Sequence, residues 1–110
     1  MGFVYLLMST DSDGEKELFK IGVTKGDIGK RIRSLSTGNP NQIRLINFYE
    51  TGNYNLVEKW LHATYSQSRT EANNEWFYLT DEDINSFIAN CKKADANISF
   101  LKKENYFYNN

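Results

Sequence analysis

The chain has 110 residues, 40% of them apolar and 15% aromatic, and its 13 Lys and Arg against 14 Asp and Glu leave a net charge of −1. That length and apolar content predict one domain with its own core and exclude a disordered chain. A single cysteine, Cys91, excludes an internal disulfide framework and fits a reducing, cytoplasmic setting. A pI near 5.8 argues against a protein that coats nucleic acid by long-range attraction alone, so any steering must come from local charge.

The first residues, "MGFVYLLM", lack a basic flank and are too short to span a bilayer, so they read as a strand over 3–8, and no membrane contact is expected. A polar loop around Gly14 separates them from "LFKIGV", 18–23, and the pair predicts a β-hairpin. The near-continuous apolarity of both strands predicts that both of their faces are covered. Asp27 or Gly26 is placed to cap a short helix over "IGKRIRSLS", with Ile28, Ile32 and Leu35 on its inner side and Lys30, Arg31 and Arg33 on its polar side.

"IRLINFYE" predicts a third strand, and a second helix is expected over 55–68. On a helical wheel Leu56, Val57, Trp60, Leu61 and Thr64 share an apolar arc, with Glu58 and His62 stacked one turn apart at its margin. Trp60 and Trp76 are therefore expected in the core. "EWFYL" reads as a fourth, short strand. Thr80 with Asp83 predicts an N-cap for a third helix, "DEDINSFIANCKK", with Ile84, Phe87, Ile88 and a buried Cys91 on one side. Residues 1–94 are thus expected to form the domain. Residues 95–110 are expected as a tail docked on it, ending in the aromatic "NYFYNN".

Between Lys20 and Arg44 six basic residues face one acid, Asp27. In order, "FVY" at 3–5, "KIG" at 20–22, "KRIRSL", "VEKWLH" and "NEWFYL" resemble the motifs of the GIY-YIG nuclease superfamily, in its phage-associated branch. The resemblance covers most of the chain. It implies an α+β fold with a small central antiparallel sheet of about three strands flanked by helices. It also implies a metal-dependent endonuclease that hydrolyses DNA phosphodiesters with one divalent ion, Mg²⁺ or Mn²⁺. By position, Tyr5 matches the first-signature tyrosine, Arg31 the helical arginine and Glu58 the metal-binding glutamate. Two positions depart from the family pattern: Lys20 stands where the second signature has tyrosine, and Phe3 where the first has glycine.

The same residues suit the chemistry on their own terms. Hydrolysis needs an activated water, a cation on the non-bridging oxygens and charge relief at the leaving oxygen. Period-2 alternation lets Tyr5 and Lys20 project on one face, where an ammonium favours the phenolate that takes a proton from water. The helix offers Lys30, Arg31 and Arg33 for the phosphate, and the resemblance selects Arg31. Glu58 is a hard oxygen ligand of the kind Mg²⁺ accepts singly, with water completing its shell. His62 is expected at the attacking water, the phosphate or Tyr5.

Lys25, Lys30, Arg33 and Arg44 are expected to contact nucleic acid, and Asn74 and Glu75 to support the site or touch substrate. A domain this small is expected to have low target specificity or to borrow it from a protein partner. The competing reading is a binding module that grips nucleic acid or protein without cutting, favoured by the acidic pI and by Lys20 in place of tyrosine.

Overall fold

The computed structural model describes residues 1–10, 16–36, 43–68 and 76–104. Asn74, Glu75 and the aromatic end at 105–110 lie outside the described residues. The elements are β1 (Gly2–Thr10), β2 (Glu17–Thr24), α1 (Ile28–Ser36), β3 (Arg44–Thr51), α2 (Tyr54–Thr64), a 3₁₀ turn (Ser66–Ser68), β4 (Trp76–Phe77), α3 (Asp81–Asn85) and α4 (Phe87–Glu104). The strands form one antiparallel sheet in the order β3-β1-β2-β4, flanked by helices, which is the expected α+β fold. The count is four strands because the two-residue β4 adds to the edge of β2 at Phe19 and Lys20.

The apolar hairpin occupies the centre of the sheet, as its two-sided hydrophobicity requires. On one face Val4, Leu6, Phe19, Ile21 and Phe77 pack with Val57, Leu61 and Tyr65 from α2 and its end, and with Phe87, Cys91, Ala94 and Ile98 of α4. Each such large side chain contributes about 1.5–3 kcal/mol by leaving water. Cys91 is fully buried, and burial together with the Asp95 charge pushes its thiol up to about 12, so it acts as a small hydrophobe. On the opposite face Tyr5 and Leu7 are buried as well, across from Gly22 and Lys20.

β3 is an edge strand whose register slips between Leu6 and Leu7, leaving Ile46 as the extra residue of a bulge. Asp27 caps α1: its carboxylate accepts from the Lys30 backbone N–H at 3.1 Å and its carbonyl accepts from the Arg31 N–H. Thr80 and Asp83 form the reciprocal capping box at the start of α3.

Two helix expectations are corrected. The single helix expected from Asp81 is broken at Ser86, whose hydroxyl donates back to the carbonyls of Glu82 at 2.7 Å and Asp83 at 3.2 Å and so competes with the helix ladder. After that break α4 runs through residue 95 without interruption, so residues 95–104 are helix, and Ile98 lies in the core. On α2 the buried line is Val57, Leu61 and then Tyr65, about 60° round from the expected arc at 3.6 residues per turn. Trp60 is accordingly 36% exposed and Glu58 and His62 are turned inward. Trp76 is only partly buried, because its register partner Lys20 places it on the sheet face away from the core.

Candidate active site

Tyr5, Lys20, Arg31, Glu58 and His62 line one open cavity of about 300 Å³, together with Ile21, Gly22 and Val23 of β2. Four elements meet there. β1 brings the tyrosine, β2 the lysine, α1 the arginine, and α2 the glutamate and histidine one turn apart.

The Tyr5 ring is held by β2. Tyr5 pairs with Gly22, and a Cβ on Gly22 would fall on the Tyr5 hydroxyl and 2.5 Å from Cζ. Only a residue without a side chain lets the phenol lie flat across the strand. Gly22 stands within β2, under the ring. The phenol is buried, and its hydroxyl oxygen accepts from Arg31 Nε at 3.4 Å, while the rest of the arginine is exposed on α1. Lys20, two positions from Gly22, projects on the same face as Tyr5.

β4 covers the β2 edge only as far as Lys20, and His62 takes over at the next residue: its Nε2 lies 2.9 Å from the Ile21 carbonyl oxygen. A carbonyl only accepts, so Nε2 carries the hydrogen and Nδ1 is the nitrogen not engaged with β2. The ring is also packed edge-on against Phe77, with centroids 5.3 Å apart. His62 thus fixes α2 to the sheet, and with it the half-buried Glu58. Burial pushes the Glu58 carboxyl above its ordinary value, against the pull of His62, Lys20 and Lys59.

The donor set suits a divalent ion of one kind. Among the described residues no three His, Cys, Asp or Glu side chains cluster as a metal cage. Among the described residues Glu58 is the one carboxylate lining the cavity. An ion that keeps most of its water and shares the rest with substrate phosphate, as Mg²⁺ does, needs no more than this. A cage-bound metal such as structural zinc does not fit.

The other expected contacts are distributed unequally. Lys30 and Arg33 are exposed on the helix that carries Arg31, and Lys25 is exposed between β2 and that helix. Arg44 pairs with Met8, on the sheet face opposite Tyr5, and lies apart from the cavity.

Sequence reasoning did not find the Ile21 carbonyl anchor or the Gly22 seat for Tyr5. A glycine inside an apolar strand is the signal for the second. It also missed the clamp at the start of α2. There Asp95 accepts from Tyr49 at 2.8 Å and from Asn53 Nδ2 at 2.7 Å, and Lys102 donates to Asn53 Oδ1 at 2.5 Å.

With this geometry in place, comparison with known protein families matches residues 2–92 to the T5orf172 domain. The chain belongs to the T5orf172 domain family. That family is phage-associated and nuclease-like, and the matched span contains all the residues that line the cavity. No curated protein and no solved structure matches the chain. Among the described residues no helix of this T5orf172 domain is long and apolar enough to cross a membrane.

Proposed function

We propose that this T5orf172 domain is a metal-dependent endonuclease that hydrolyses DNA phosphodiesters in the cavity between β1, β2, α1 and α2. The observation that carries the reading is the convergence of Tyr5, Lys20, Arg31, Glu58 and His62, from four separate elements, on one open cavity. Membership of a nuclease-like family supports it.

In this reading Arg31 holds the scissile phosphate through the guanidinium nitrogens that Tyr5 does not engage. Tyr5, whose oxygen accepts from Arg31 Nε, is the group placed to act as general base toward the attacking water. Lys20 adds positive charge on the same face, where it would offset the negative charge that develops on the phosphoryl oxygens. His62 fixes the helix that carries Glu58 and has Nδ1 left to accept a hydrogen bond from water. A divalent ion held by Glu58 would polarise the phosphoryl oxygen and lower the proton affinity of water.

The test is cleavage of end-labelled single-stranded, duplex and branched DNA in Mg²⁺ or Mn²⁺ by wild type, Glu58→Gln and Arg31→Ala, purified identically. Wild type is expected to cut, and each variant to lose at least about a hundred-fold in rate, the scale of a lost electrostatic stabiliser. No cutting by wild type, or equal cutting by all three, refutes the hydrolytic reading; retained DNA binding without cutting would identify a binding module.

A further inference from the structure

The sheet face that carries Tyr5 continues past the cavity toward β4, and its side chains alternate in a definite pattern. Lys20 lines the cavity and also lies over the ring of its register partner Trp76, 5.9 Å from the centroid. Phe77 turns to the core, and Tyr78, two residues on from Trp76, is 44% exposed. Lys16, exposed just before β2, lies 5.4 Å above the Tyr78 ring. Lys16 and Tyr78 line an open groove of about 500 Å³ together with Glu17, Phe19, Leu79 and Thr80. Two lysine–aromatic pairs thus stand in a row, one at the cavity and one beyond it.

We propose that this row binds a single-stranded segment of nucleic acid leading into the cavity, with bases stacked on Trp76 and Tyr78 and phosphates beside Lys20 and Lys16. Aromatic faces with interleaved cations are the combination that unpaired strands use. In a duplex each base is covered by its neighbours, so only an unpaired or splayed strand offers bare faces to a ring. The proposal rests on the phosphodiester reading of the cavity for the identity of the ligand, and it adds the form of substrate, which that reading leaves open.

The test is fluorescence anisotropy with a short labelled oligothymidylate, an oligouridylate of the same length and a duplex of that length, all in EDTA. The proteins are wild type, Tyr78→Ala, Tyr78→Phe and Lys16→Ala. Tyr78 is partly exposed and lies outside β4, so its replacement spares the core. Wild type should bind an unpaired strand more tightly than duplex, and the two unpaired probes tell DNA from RNA.

Tyr78→Ala should bind the unpaired strand about ten-fold or more weakly, and Tyr78→Phe should restore it. Lys16→Ala should reduce the salt slope by about 0.7. Single-strand binding by Tyr78→Ala equal to wild type, or a preference for duplex, overturns the proposal. Because no metal is present, the outcome is separate from hydrolysis: a chain that binds as stated and never cuts refutes the hydrolytic reading alone.

Discussion

At the scale of single residues, the cavity depends on a position that has no side chain. Gly22 seats the Tyr5 ring, and that seat places the hydroxyl under Arg31 Nε. Gly22→Ala should therefore cost about 1–3 kcal/mol, the range for forcing a methyl into a filled space. It should also displace the phenol from Arg31. Urea unfolding checks this as a cycle: in a Tyr5→Ala background the Gly22→Ala penalty should nearly vanish, because the ring it meets is gone. An equal penalty in both backgrounds would place the strain elsewhere. The glycine was visible in the sequence as part of "KIG", but its purpose was not. A turn after the strand and a ring across it are both reasons for glycine, and only the Tyr5–Gly22 register separates them.

At the scale of elements, the helix that carries Glu58 and His62 is fixed at its first turn by α4. Asp95 accepts from Asn53, the residue before α2, and from Tyr49 of β3, and Lys102 reaches Asn53 from the next turns of α4. Burial pushes the Asp95 carboxyl up, but the hydrogen bonds from Asn53, Thr51 and Tyr49 and the Lys102 charge outweigh it, and the net direction is down. Burial, with Asp95 as hydrogen-bond partner, pushes the Tyr49 phenol up to about 12.

A carboxylate held below its unfolded value stabilises the fold at pH above the unfolded pKa, and loses that contribution as pH falls through the folded one. Asp95→Ala should thus cost about 1.5–3 kcal/mol at neutral pH. The gap from wild type should close only below the ordinary aspartate value of 3.8. Thermal unfolding against pH measures it, and a gap that is constant with pH would assign the loss to packing alone.

The sequence showed α1, its Asp27 cap and the Thr80–Asp83 box because those signals are local. It did not show that α2 is rotated, because the wheel counts Trp60 as apolar whichever way the helix faces, whereas the Ile21 carbonyl and Asn53 clamp set the rotation from a distance. The break at Ser86 was hidden for a related reason: a serine inside a helical pattern is neutral until its hydroxyl finds the preceding carbonyls.

At the scale of the whole molecule, the two faces of one small sheet divide the labour. One is filled by α2 and α4 and supplies the core. The other carries Tyr5, Lys20 and Trp76, and it meets the basic helix α1 through Arg31. This is how a chain with net charge −1 presents local positive charge: Lys20 and Arg31 line one cavity, with Lys30 and Arg33 exposed on the helix that carries Arg31, while Asp81, Glu82 and Asp83 sit in the first turn of α3, complementing its dipole.

The claim on which the account turns is that Glu58 holds a divalent ion in this cavity. Mn²⁺ bound to the chain, measured by electron paramagnetic resonance with a non-hydrolysable phosphorothioate DNA strand present, tests it without recourse to activity. The account predicts one ion per chain in wild type and none in Glu58→Gln, with DNA still bound. Equal Mn²⁺ binding by the two proteins, or none by wild type, would contradict it.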